Sequence, residues 1–148
     1  MRVKAPKLSD TSNSKGELIM TDKMMEGRIF LKTRKADVNV EKMLNAIQME
    51  AEQHGIMAEE ALIDRGNSRD LDRDCIGELL DTLLSEDVQA LIVMQVGDIT
   101  DDIHDLVQFM LDAEACGVAV YSMDLDFRKW NNPGRYKSEE NLSDEGDN

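Results

Sequence analysis

Aromatic residues are scarce in this chain: three Phe, two Tyr and one Trp make up 4% of 148 residues. A core with so few rings must be closed by aliphatic and sulfur side chains, and ten Met residues take much of that part. Met fills irregular gaps but holds its rotamers loosely, so the interior is expected to be stable and somewhat plastic. Cysteine is equally sparse. Cys75 and Cys116 fall on different predicted helices without metal-ligand spacing, which reads as reduced, half-buried thiols in a cytoplasmic protein. Long apolar runs are missing too. The longest uncharged one, residues 90–96, is far below the roughly 18–20 residues that span a bilayer. The N-terminal stretch has no continuous apolar segment of the secretory kind. No phosphate loop, nucleotide-binding glycine pattern or zinc spacing is present, so no cofactor is expected.

Positive charge is scarce and unevenly placed. The formal net charge is −14. Residues 1–35 hold nine Lys/Arg against four Asp/Glu, or +5, and the remainder holds eight against twenty-seven, or −19. DNA affinity rests mainly on neutralising phosphates, so the acidic remainder should repel a duplex. Only the basic arm (Arg2, Lys4, Lys7, Lys15) offers weak contact with nucleic acid, and it reads first as a solvated leader.

What is present is a regular alternation of short strands and helices. Residues 1–26 lack sustained periodicity and read as a disordered basic leader. Residues 27–33 alternate as a strand. Val40, Met43, Leu44, Ile47 and Ala51 recur at helical spacing, with Gly55 as a left-handed stop, predicting a helix over 38–54. A second strand is expected over 56–63 and a polar loop over 64–72. Ile76, Leu79, Leu80, Leu83 and Leu84 then define a helix over 73–85 with Asp72 as N-cap. Residues 88–96 are nearly all apolar, as in a central parallel strand covered on both faces. Thr100 is expected to cap a third helix that turns Ile103, Leu106, Val107, Met110 and Leu111 inward and stops at Gly117. A fourth strand follows over 118–123. This order implies an α/β fold, a single-domain three-layer sandwich with a mostly parallel four-stranded sheet. The domain is placed at 27–126, and 127–148 reads as an acidic tail.

Four segments carry a likeness to a known family. Residues 90–124, ALIVMQVGDITDDIHDLVQFMLDAEACGVAVYSMD, align without a gap. The loop Asp64-Arg65-Gly66-Asn67-Ser68 matches an Asp-x-Gly-x-Ser motif. Arg73-Asp74-Cys75-Ile76 matches an Arg-Pro-x-Leu helix opening without its proline, and Phe30–Lys35 falls on a Tyr-x-Arg-Val-Ser-Thr segment. Over residues 30–124 the chain resembles the N-terminal catalytic domain of resolvase/invertase-type serine site-specific recombinases, a resolvase-like fold. That resemblance implies a DNA-cleaving site in which a serine attacks a phosphodiester and arginines stabilise the transition-state charge.

The positions that would carry this chemistry are altered. Phe30 stands for the tyrosine, Lys32 for an arginine, and Arg34 for the nucleophilic serine. Thr33 is one residue off and points to the opposite face of a strand. The family's Leu-Asp-Arg-Leu-Ser-Arg turn reads Val96-Gly97-Asp98-Ile99-Thr100-Asp101, so both arginines are replaced by aspartate. Arg73 alone is kept. The site positions Lys32, Arg34, Ser68, Arg73, Asp98 and Asp101 therefore describe a degenerate centre. Residues 127–148 offer no amphipathic repeat and no recognition helix, so neither the family's long helix nor a DNA-reading element is expected within them.

Other constellations read more plainly. Ser68 reads as a turn serine, His54 as a C-terminal helix cap, and His104 as a surface residue. Asp98, Asp101, Asp102, Asp124 and Asp126 follow two adjacent strands. They read as a solvated acidic rim, with a divalent-metal cluster as the alternative. The expectation is a pseudoenzyme of DNA-recombination ancestry serving as an interaction or regulatory module, through self-association or a protein partner. DNA binding is expected to be weak or absent without a partner, with no membrane association. The alternatives are an accessory DNA-recombination factor using the basic arm, or metal-dependent phosphoryl transfer at the acidic cluster.

Overall fold

The computed structural model describes residues 2–4, 24–85 and 87–133. In chain order its elements are β1 (Arg2–Lys4), β2 (Met25–Lys32), α1 (Asp37–Gln53), β3 (Ile56–Asp64), α2 (Asp74–Ser85) and β4 (Ala90–Val93). A 3-10 turn (Val96–Asp98), α3 (Ile103–Ala115), β5 (Ala119–Ser122), a kinked turn (Asp124–Phe127) and β6 (Arg128–Lys129) complete it.

The sheet runs β1-β3-β2-β4-β5-β6. Its four central strands are parallel, as the alternating pattern requires, and β1 and β6 add antiparallel edges. Both edge strands fall where no element was expected. β1 lies in the supposed leader and pairs with Glu60–Leu62. β6 lies in the supposed tail, behind the buried Phe127. Strands of two or three residues are too short for periodicity to betray them. The rest of the leader, with Lys7 and Lys15, and the acidic run beyond residue 133 lie outside the described residues.

Side-chain alternation divides the core into two layers. On β2, Ile29 and Leu31 join Val40, Leu44, Ile47 and Ala51 of α1. Phe30 faces the other way, with Ile76, Leu79 and Leu83 of α2 and Phe109 and Ala113 of α3. β4 splits likewise, Ile92 toward α1 and Leu91 and Val93 toward α2 and α3. A strand buried on both faces has no use for polar residues, which is why 90–93 reads as continuous apolar sequence. Each fully buried aliphatic side chain contributes about 1.5–3 kcal/mol, so the α1 stripe alone holds its helix firmly to the sheet.

α1 ends where expected, with Gly55 at φ +78°, and α3 ends at Gly117 at φ +82°. The starts of α2 and α3 differ from expectation. At α2 it is the Arg73 carbonyl that accepts from the Ile76 and Gly77 amides, so Arg73 rather than Asp72 holds the cap position. At α3 the Asp102 carboxylate accepts from the His104 and Asp105 amides, while the buried Thr100 hydroxyl accepts from the Asp102 amide. α3 also lies rotated from its expected setting. Phe109 and Ala113 face the sheet, Leu106 and Met110 are half-buried, and Ile103, Val107 and Leu111 are exposed. The large Phe109 ring fills the core more completely than the branched aliphatics, and the helix turns to admit it.

At the far edge, Asn131 stands in for backbone. Its carbonyl oxygen accepts from the Val120 amide at 2.8 Å, and its amide nitrogen donates to the Val118 and Met110 carbonyls.

Candidate functional site

The carboxyl ends of β2 and β3 bring the candidate residues together. Lys32 and Asp64 are register partners on these parallel strands, so their side chains leave the same face side by side. Lys32 Nζ donates to Asp64 Oδ2 at 3.2 Å and to the Gly66 carbonyl at 2.6 Å. From the cap of α2, Arg73 Nε reaches the same Asp64 oxygen at 3.0 Å, and the Gly66 amide donates to Oδ1 at 3.0 Å. Asp64 is only 4% exposed. Burial alone would push its carboxyl up; the Gly66 amide, Lys32 and Arg73 outweigh this and hold it below the ordinary carboxylate value.

Arg73 is almost fully committed. Besides Asp64, its guanidinium donates to the Asp70, Ile99 and Asp98 carbonyls, and it lies 6.0 Å from the Phe30 ring centre. A guanidinium has five N–H donors, and four acceptors are already engaged. Asp98, one of the two aspartates that the resemblance sets where arginine is expected, is buried. Its carboxylate accepts from Arg69 Nη1 at 3.2 Å and Gln95 Nε2 at 3.4 Å. Arg69 also donates to the Gly97 carbonyl at 2.7 Å. The buried acid of this turn is thus matched by a base from the 64–73 loop. The inner group of Lys32, Arg69 and Arg73 against Asp64 and Asp98 is nearly neutral, with carbonyls taking up most remaining donors.

The outer positions are occupied by local contacts. Arg34 is exposed and its guanidinium donates to the Asn67 side-chain oxygen. Thr33 Oγ1 accepts from the Lys35 amide at 3.1 Å, and Ser68 Oγ accepts from the Asp70 amide at 3.1 Å, so both hydroxyls brace turns. Arg65 clasps the Lys35 carbonyl and Asp37, each at 2.7 Å. Beside the site, burial and the Asp64 charge push the half-buried Cys75 thiol up, which keeps it protonated and poorly nucleophilic.

The remaining candidates stay apart. Asp101 is exposed, Asp102 caps α3, and Asp124 and Asp126 are exposed in the kinked turn. Among the described residues, no three His, Cys, Asp or Glu side chains group as a metal site. His54 sits at the C-cap of α1, 3.2 Å from Glu50, and stacks on Phe127 with ring centres 4.2 Å apart. His104 is exposed. No described helix is long and apolar enough to cross a membrane.

Sequence reasoning placed Asp64 in a motif without seeing it as the centre of the site, and it passed over Arg69 altogether. The available signal was the spacing of Arg65, Arg69 and Arg73, four residues apart around an acidic loop.

Comparison with solved structures fixes the architecture. The N-terminal catalytic domain of TP901-1 integrase superposes with a TM-score of 0.58 at 12% identity, covering 82% of this chain and 94% of that one. The fold is that of a serine recombinase catalytic domain. The C-terminal catalytic domain of ISC1926 TnpA, an IS607-like serine recombinase, matches this resolvase-like domain with a TM-score of 0.58 at 13% identity, covering 80% and 79%. A resolvase family site-specific recombinase from Streptococcus pneumoniae gives a TM-score of 0.50 at 10% identity, covering 82% and 89%. No family model matches the resolvase-like chain. No curated protein sequence matches it either.

Proposed function

We propose that this resolvase-like domain has left DNA cleavage behind and serves as an interaction or regulatory module in a setting of recombinase ancestry. The observation that carries the reading is the closed charge network at Asp64. Catalysis of phosphoryl transfer requires cations whose donors are free to meet the developing charge. Here Lys32 and Arg73 spend theirs on Asp64 and on backbone carbonyls. The buried Asp98 adds negative charge where the resemblance expects an arginine, and Arg69 is drawn to it. Arg34, at the nucleophile's position by that resemblance, carries a guanidinium with no hydroxyl to attack. Ser68 and Thr33 hold turns. Self-association or a protein partner is the expected mode of action, and the −14 net charge weighs against unaided DNA binding.

The test is covalent capture. Purified chain incubated with supercoiled plasmid, with and without magnesium, then denatured, is expected to yield no protein–DNA adduct and no relaxed product. The single variant Arg34→Ser is expected to behave identically, because the hydroxyl would arrive without free arginines around it. An adduct from the unaltered chain, lost on replacing one hydroxyl residue, overturns the reading.

A further inference from the structure

Between the carboxyl end of α3 and the short edge strand β6 lies an open cleft of about 390 Å³, lined by Glu114, Lys129, Trp130, Asn131 and Asn132. The Asp64 network reaches only the turn before α3 begins, so the cleft stands at the opposite end of that helix. Clefts that take small molecules start at roughly 300 Å³ and orient their ligands through a few convergent polar groups. Trp130 supplies a fixed wall. Its indole Nε1 donates to Ser122 Oγ at 2.8 Å, and the Arg128 guanidinium lies over the ring, 4.3 Å from its centre. Asn131 is fully engaged with backbone groups.

Glu114 is the unsettled member of the set. It is 8% exposed. A carboxylate presents about four lone-pair sites, yet among the described residues only the Asn132 amide, at 2.8 Å, donates to it. No ion pair engages it among the described residues. The sequence shows why α3 cannot supply one, since residues 74–127 hold no Lys or Arg. Glu114 also sits in the last turn of α3, where the negative end of the helix dipole adds to its own charge. Buried charges are ordinarily paired. What the cleft lacks is a cation small enough to enter it.

Lys129 narrows the class. It is exposed and lines the same cleft, where it repels a bare cation and attracts an anionic group. A molecule carrying an ammonium and a carboxylate a few bonds apart satisfies both residues, with its carbon skeleton against the indole.

We propose that the cleft between α3 and β6 binds a small zwitterion of the amino-acid class, with its ammonium on Glu114 and its carboxylate on Lys129. The proposal goes beyond the interaction-module reading and stands independently of it.

Trp130 is the single tryptophan of the chain, so its fluorescence and its indole N–H resonance report on this cleft. The probe is L-leucine titrated into the full chain, and a saturable change in both signals is expected. N-acetyl-L-leucine, which lacks the ammonium, should leave both unmoved, and L-leucine methyl ester should bind several-fold more weakly than leucine. Glu114→Gln keeps an acceptor for the Asn132 amide while removing the charge, and its Kd for leucine is expected to rise about ten-fold or more. Should that variant fail to fold, Lys129→Gln, at an exposed position, is expected to weaken leucine binding and abolish the preference for acid over ester. Equal affinity of folded Glu114→Gln, or equal binding of the acetylated probe or of the ester, overturns the proposal. So does the absence of any change in either signal up to the solubility limit of leucine. The adduct assay is untouched by these outcomes: failure of leucine to bind removes the zwitterion site alone, and an adduct removes only the functional reading.

Discussion

Asp64 compensates two buried cations at once, and that makes it the most consequential side chain in the site. Replacing it with Asn leaves Lys32 and Arg73, whose side chains are 6% and 10% exposed, without their counter-ion. Breaking a buried ion pair by removing one partner costs about 3–5 kcal/mol, and a loss of that size is expected for Asp64→Asn in chemical denaturation. The pH dependence has a definite sign. The folded-state carboxyl lies below its ordinary value, so the unfolded chain binds the proton more readily and stability rises with pH across that window. The contribution is complete above about pH 4 and is lost as pH falls through the folded-state value. Parent and variant should therefore converge in stability on acidification. A constant gap from neutral pH down to acid unfolding would show that Asp64 acts by shape and not by charge.

Among the elements, α3 carries the clearest lesson about what sequence can reveal. Its apolar spacing, its Gly117 stop and its place between two parallel strands were all legible, because 3.6-residue periodicity and a positive-φ glycine are local signals. Its rotation was not. Five aliphatic residues at 103, 106, 107, 110 and 111 describe a broad arc, and periodicity cannot say which part of an arc meets the sheet. Phe109 decided that, through packing that only the assembled core defines. The cap was misplaced for a related reason: Thr100 and Asp102 both suit an N-terminus, and burial of Thr100 left Asp102 to accept the free amides. Asp102→Ala is accordingly expected to cost about 0.5–2 kcal/mol in thermal unfolding, with little change for the exposed neighbour Asp101→Ala. The candidate site was legible only in its losses. That Arg34 and Asp98 depart from the serine and arginine the resemblance expects follows from residue type. That Arg69 would neutralise Asp98 depends on a loop folding back across the turn after β4, which no local pattern announces.

Across the whole molecule, one sheet separates two unlike layers. α1 covers one face with a mixed-charge exterior, and α2 and α3 cover the other with an exterior devoid of positive charge. The sheet between them ends in very short strands, and at the β5 rim the polypeptide finishes its pairing with a side chain: Asn131 bonds the Val120 amide and the Val118 carbonyl where a longer β6 would otherwise run. The segment so capped, Val118-Ala119-Val120-Tyr121, is apolar and strand-prone, the kind of sequence that recruits like segments into fibrils when its amides are left open. By occupying the Val120 amide and the Val118 carbonyl, Asn131 is expected to keep this rim from pairing with other chains. Asn131→Ala should leave the chain folded yet hasten thioflavin-positive deposits on mild warming, and equal lag times for the two proteins would show that the rim is guarded by something else.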